Sequence, residues 1–255
     1  MRRKSRGFKG RLLIGVAVAA FFLIKHYSKM ETNPYTQKRQ AISMTPQEEV
    51  QMGLASIGQM AQQHGGLHPN ETYQALVDNV GNKLVNNSIA KDTPYKYDFH
   101  LLADQRTINA FALPGGQICI TYALFSQLKN EDQLAGVLGH EIGHVLGRHS
   151  AERIANHELW QGLSTAGSVG GDMGGLISQI GSGKLLKNGR GDELESDDLG
   201  VKFMINAGYN PEEMIGVMQI LKAAAGPNRV PEFQSSHPDP DNRIEHIRES
   251  IEKYR

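Results

Sequence analysis

The chain has 255 residues, 39% of them hydrophobic, with 27 basic and 27 acidic side chains and a formal net charge of zero. That length and content suffice for one sizeable core, and the balanced charge argues against bulk electrostatic binding of nucleic acid. The single cysteine, Cys119, excludes an internal disulfide framework and a cysteine zinc cluster; its apolar, alternating surroundings read as those of a buried, inert thiol.

Arg2, Arg3, Lys4, Arg6, Lys9 and Arg11 form a basic head before an apolar run from Leu12 to Ile24. The run is short for a membrane span and has the length of a signal-peptide core, yet no small-x-small cleavage site follows it. No cysteine follows either, which excludes a lipoprotein anchor. Two readings stay open for residues 1–30, an uncleaved membrane anchor and a cleaved signal that would leave the protein secreted. The anchor is favoured, with the basic head in the cytoplasm and the rest outside. Residues 31–44 are polar without an apolar period and read as a tether to a domain over residues 45–255.

Thr45-Pro46-Gln47-Glu48 predicts a helix start, with Thr as cap and Pro in the first turn, and Gly65-Gly66 ends that helix. Asn70 caps a second helix through Tyr73, Leu76, Val77, Val80, Leu84 and Val85. Strands are expected over 95–103, 108–113 and 117–121, with Pro114-Gly115-Gly116 turning the chain before the last. A small sheet so placed is either an ordinary core hairpin or an edge to which an extended peptide can add. A short helix follows over 123–128, and Asn130 or Asp132 caps the next, longer one.

That longer helix carries Gly139-His140-Glu141-Ile142-Gly143-His144. His140 and His144 fall on one face, one turn apart, and two such imidazoles can hold one metal ion at about 2.0–2.1 Å each. Glu141 is turned roughly a hundred degrees away, too far to ligate easily but able to take a proton from a water beside the metal. His-Glu-x-x-His is the zinc metallopeptidase signature for that reason. The flanking Val137, Leu138, Ile142, Val145 and Leu146 bury the helix, where unpaired histidines and a glutamate are costly. His149, nine positions after His140, falls on roughly the opposite face of a continuous helix and is set aside as a ligand.

Residues 162–191 are rich in glycine and serine and read as a flexible linker or a mobile flap, with short helices expected at two apolar pieces, around 176–180 and at 185–186. Beyond them, Glu193 and Asp197 stand at i and i+4 on a further expected helix. One of the two carboxylates can complete a two-His, one-carboxylate site that leaves a position for water, and the other can accept the distal N–H of a ligating histidine. Residues 210–213 start another capped helix, and His237 lies in a Pro-rich loop before a last helix with Ile244, Ile247 and Ile251.

Four motifs in order, Asn109-Ala110-Phe111-Ala112-x-Pro114-Gly115-Gly116, Gly139 to His149, Glu193-x-Glu195-x-Asp197 and Ser236-His237-Pro238 followed by Arg243, resemble the HtpX and CAAX prenyl protease family, metallopeptidase family forty-eight. The resemblance runs from about Thr45 to Arg255. It implies an α+β fold, mainly helical and glutamate-zincin-like, with a small antiparallel sheet beside the metal helix. It implies one zinc ion per chain held by His140, His144 and Glu193, with Glu141 as base and Asp197 behind a ligand; Glu195 is the competing third ligand. It places His237 near the metal, as an oxyanion partner, a reversible fourth ligand or a shaper of its loop. Arg243 pairs either with substrate charge or in a structural salt bridge. The family's multi-spanning branches are not matched, and the chain is similar to single-anchor members of the bacterial cell envelope.

The expected function is zinc-dependent endoproteolysis of extended or misfolded polypeptide on the periplasmic side, in protein quality control. The peptide is expected to add to the strand at Asn109, Ala110, Phe111 and Ala112. The rival expectation is a chaperone or assembly factor using the same cleft, its metal site latent and blocked by His237.

Overall fold

The computed structural model describes residues 5–171, 173–224, 237 and 243–255. Arg2, Arg3 and Lys4 of the basic head, and Ser236 and Pro238 of the last motif, lie outside the described residues. The chain divides into two units, one of residues 1–44 with 150–189 and the other of residues 45–149 with 190–255.

In the first unit, α1 (Ser5–Tyr27) contains one segment, Lys9–Tyr27, long and apolar enough to cross a membrane by length and composition. Residues 31–44, expected as a tether, instead contribute a hairpin of β1 (Met30–Thr32) and β2 (Arg39–Ala41). Asn33 makes the turn, its Oδ1 accepting from the N–H groups of Tyr35 and Thr36, so a polar stretch gains order that no apolar period announces.

The second unit opens with α2 (Pro46–Gln63), where Thr45 Oγ1 accepts from Glu48 N–H and the Glu48 carboxylate accepts in return from Thr45 N–H. In α3 (Glu71–Asn86), Asn70 Oδ1 caps Thr72 and Tyr73, and Val77, Val80 and Leu84 are buried. Strands β3 (Asp98–Leu102), β4 (Ala110–Ala112) and β5 (Gln117–Thr121) form one sheet in the order β3-β5-β4. The sheet is mixed, correcting the antiparallel expectation for one of its two pairings. β4 and β5 are antiparallel, whereas β3 and β5 are parallel, because the chain reverses twice between them. Periodicity carries no direction, so the sequence could not distinguish the two. Cys119 is fully buried on β5, and burial pushes its thiol pKa far up, as an inert thiol requires.

After the short α4 (Tyr122–Phe125), α5 (Glu131–Leu146) is capped by Asn130 and buried along every residue from Gln133 to Leu146. A helix apolar on all sides is a core helix, and α5 packs on α3, on β4 and on α8 (Glu213–Ala224). It stops at Gly147; Arg148 takes a left-handed φ of 56°, and α6 (His149–Gly171) begins anew. The expected flap or linker over 162–191 is helical throughout most of its length, in the end of α6 and the start of α7 (Gly174–Asn206). Glycine lowers helix propensity by only about 1 kcal/mol, which packing can outweigh. Helix α9 (Arg243–Tyr254) closes the unit.

Candidate metal centre

Helix α7 crosses α5 where both carry small residues four apart, Gly139 and Gly143 on α5, Ser196 and Gly200 on α7. A Cβ on Gly143 would stand 2.9 Å from Ser196 Cα and 3.0 Å from its carbonyl oxygen. That close approach sets Glu193 against both α5 histidines. His140 Nε2 lies 3.0 Å from His144 Nε2 and 3.3 Å from Glu193 Oε2, and His144 Nε2 lies 3.4 Å from Glu193 Oε1. His237 closes the group, its Nδ1 being 3.2 Å from both Glu193 oxygens and 3.4 Å from His140 Nε2. All four side chains are buried.

Four donors each about 2.0–2.1 Å from a central ion stand about 3.3 Å apart in a tetrahedron. The donor set and its spacing therefore fit zinc, with three residues alone leaving one position open and His237 filling it. The tautomers agree. His140 Nδ1–H donates to Asp197 Oδ1 at 2.8 Å, leaving Nε2 to face the cluster. His237 Nε2–H donates to the Ala110 carbonyl at 3.3 Å, leaving Nδ1 to face it.

The electrostatics follow from burial and these pairings. Burial opposes charge on His140, but Asp197 and Glu193 outweigh it and hold its pKa up to about 9. At His144 burial prevails and the imidazole is pushed well below its usual value, favouring the neutral form that ligates. Glu193 and Asp197 ionise well below the usual carboxylate range despite burial, the first drawn down by His237 and His144, the second by Arg243 and His140. Glu141 goes the other way. It is fully buried, both its oxygens lack a hydrogen-bond partner among the described residues, and burial raises its pKa. Its Oε1 lies 3.6 Å from His237 Nε2.

Each residue expected at the site can now be placed. His140, His144, Glu193, His237 and Glu141 come together, and Asp197 stands behind His140. Glu195, the competing ligand, points elsewhere, its Oε2 2.7 Å from His149 Nε2. Arg243 is buried and grips Asp197 with two bonds of 2.7 Å from Nε and Nη2; its Nη1 is 3.5 Å from Glu193 Oε2. Ala110, Phe111 and Ala112 form β4, one of the two outer strands of the sheet, and Asn109 directly precedes it. Asn109 and Leu113 carry backbone bonds to β5, so Ala110 and Ala112 turn their backbone groups away from β5, where His237 meets the Ala110 carbonyl. Phe111 packs with Ala61, Leu102 and Cys119, and Asn109 Oδ1 is buried without a hydrogen-bond partner among the described residues.

Of two further residues near the site, Arg148 escaped the sequence reading, and His149, set aside as a ligand, lies outside the four-residue cluster. Arg148 Nε donates to Glu49 Oε1 of α2 at 2.7 Å, a buried ion pair that holds the break between α5 and α6. Nothing in a lone arginine announces a left-handed backbone, though the preceding Gly147 is a helix-stop signal. His149, dismissed on the premise of a continuous helix, is redirected by that break.

Residues 71–251 match the model of peptidase family M48. A beta-barrel assembly-enhancing protease of Yersinia pestis is 31% identical over 185 residues, covering 68% of this chain and 37% of that protein. Mitochondrial metalloendopeptidase OMA1 of Schizosaccharomyces pombe is 28% identical over 234 residues, covering 89% of this chain and 68% of that protein. Metalloprotease YcaL of Escherichia coli K12 is 29% identical over 175 residues, 66% of each. The chain thus spans well under half the length of the Yersinia relative. With the His/Glu cluster falling inside the matched region, the chain belongs to peptidase family M48, a family of metallopeptidases.

Proposed function

We propose that the chain is a zinc-dependent endopeptidase acting on extended or misfolded polypeptide. One observation carries this reading: a buried carboxylate with no hydrogen-bond partner among the described residues, Glu141, borders a buried donor set with tetrahedral spacing. A structural zinc site would have no use for such a base. His140, His144 and Glu193 would hold one zinc ion, and zinc bound there would polarise the scissile carbonyl and acidify the attacking water. Glu141 takes that water's proton and returns it to the leaving amine nitrogen. The edge of β4 that faces away from β5, at Ala110 and Ala112, pairs with the substrate backbone once His237 moves off the Ala110 carbonyl, so recognition needs an extended segment rather than a particular side chain. Asp197, clamped by Arg243, fixes the His140 tautomer; Arg243 acts by positioning. His237, once displaced from the fourth position, can donate Nε2–H to the developing oxyanion.

The N-terminal helix supports a single-pass anchor, and the bacterial relatives named for β-barrel assembly support the cell envelope, since such barrels belong to outer membranes. On this reading the protein serves envelope quality control, with its catalytic unit on the periplasmic side.

The second reading is a chaperone or assembly factor with a latent site. It is favoured by His237, which both fills the fourth position and caps the Ala110 carbonyl that a substrate strand would use. Cleavage of an unfolded protein by zinc-loaded full-length chain, Glu141→Gln and His237→Ala tests both. Turnover by the wild type, lost in Glu141→Gln, supports the peptidase. Turnover only by His237→Ala shows a blocked peptidase, and none in any variant with zinc bound favours the assembly factor.

A further inference from the structure

Beside the Asp197 clamp lies a second chain of polar contacts that no step above uses. Its origin is the break at Arg148. On a continuous helix His149 would lie roughly 140° around from His144 and could not meet it. The left-handed Arg148, held by Glu49, restarts the chain as α6 and brings His149 Nδ1 to 2.9 Å from His144 Nδ1. Its other nitrogen, Nε2, lies 2.7 Å from Glu195 Oε2 and 3.8 Å from Asp192 Oδ1. Ser196 Oγ is 3.3 Å from Nδ1, and the ring is buried.

One arrangement of protons satisfies this chain. His144 turns Nε2 to His140 and Glu193, so its Nδ1 bears hydrogen and must donate. His149 Nδ1 then accepts, its own proton sits on Nε2, and that N–H donates to the Glu195 carboxylate. We propose that His149 and Glu195 are positioning residues that fix the tautomer and ring plane of His144, as Asp197 and Arg243 fix those of His140. The proposal rests on reading His140, His144 and Glu193 as zinc ligands. Glu195, the rejected third ligand, thereby acquires a role one imidazole removed from the metal.

Outer partners of ligating histidines are typically worth about 10–100-fold in metal affinity. Zinc affinity of the full-length chain, measured by competition with a chelating dye, should weaken by that factor in His149→Leu and in Glu195→Leu. The double variant should be no worse than His149→Leu, because both act through one chain. His149→Gln, whose amide can accept from His144 and donate to Glu195, should restore affinity to within a few-fold. The visible spectrum of the cobalt-substituted protein should shift in the Leu variants and return in His149→Gln, which a loss of packing alone would not produce. Glu195 is partly exposed, so Glu195→Leu remains informative where His149→Leu does not fold.

Unchanged zinc affinity and cobalt spectrum in both Leu variants, with zinc lost in His144→Ala, would overturn the positioning chain and leave the ligand reading standing. Unchanged affinity in His144→Ala would overturn both. Two zinc ions per wild-type chain, the second lost in Glu195→Leu, would show that His149, Asp192 and Glu195 hold a metal themselves and would likewise overturn the proposal.

Discussion

The His/Glu cluster has two sides that treat buried charge in opposite ways. Behind His140, Asp197 accepts from the imidazole and takes two bonds from Arg243, so each formal charge there is matched. In front, Glu141 is as deeply buried, yet among the described residues neither oxygen has a hydrogen-bond partner, and Asn109 Oδ1, next in sequence to the edge residues, likewise has none. A carboxylate buried without partners costs several kcal/mol, which folding alone would not retain. On the proposed reading the matched side is scaffold and the unmatched side carries the chemistry. Opposite pKa directions record the same difference: Asp197 is drawn down by Arg243 and His140 against its burial, Glu141 is raised by burial.

The sharpest way to break the comparison is Glu141→Gln. On the unmatched side it removes only chemistry, so turnover of an unfolded substrate should fall about 10²–10⁴-fold while the melting temperature holds or rises. A melting temperature that fell with activity would make Glu141 scaffold. The wild type should also lose activity as pH drops. If Glu141 is the base, as proposed, it must be ionised to work; its pKa is raised, so the acid limb of kcat/KM should lie above the usual carboxylate range. Arg243→Met acts on the matched side and should do the reverse, first reducing stability. It strands Asp197 in the core, at a cost of about 3–5 kcal/mol, read from urea unfolding. Adding Asp197→Asn to that variant should recover part of the loss.

Between these sides runs the contact that brings the ligands together, and it is the part least visible in the sequence. The helix caps at Thr45, Asn70 and Asn130 were legible because a short polar side chain followed by helical periodicity has few other uses. His140, Glu141 and His144 were legible because their spacing fixes them on one turn whatever surrounds them. Glu193 needed the family pattern, since Glu193, Glu195 and Asp197 all fit an acidic helix. Glycine misled. Over 162–191 it suggested a linker or flap with only two short helical pieces where the structure has long helices, and at Gly143 it is required by another helix pressing close. The same residue lowers local helix propensity and permits tertiary approach, and one sequence does not say which of the two prevails. Gly143→Ala separates them: alanine favours the α5 helix locally, yet its Cβ meets Ser196 backbone atoms at 2.9 and 3.0 Å. A net destabilisation of about 1–3 kcal/mol, with weakened zinc binding, is expected.

The smallest effect expected concerns Asp198, next to Asp197 but turned to the surface. Its carboxylate accepts from Ser250 Oγ at 2.8 Å, Tyr254 Oη at 2.6 Å and Lys253 Nζ at 3.1 Å, tying α7 to α9. Burial works to raise its pKa, but the bonds from Tyr254, Ser250 and Lys253 prevail and lower it. A depressed carboxylate pKa means the folded state favours the charged form. Its stabilisation is therefore complete above the unfolded value of about 3.9 and is lost as pH falls through the lower folded value. The site is partly exposed and screened, so Asp198→Asn should cost only about 1 kcal/mol at neutral pH. The gap from wild type should close in acid. A gap that stayed constant from neutral pH to below about pH 3 would mean that Asp198 acts through shape rather than charge. Because α9 begins at Arg243, fraying of this tie should also loosen the clamp on Asp197, so the variant's zinc affinity should weaken slightly, in step with its stability.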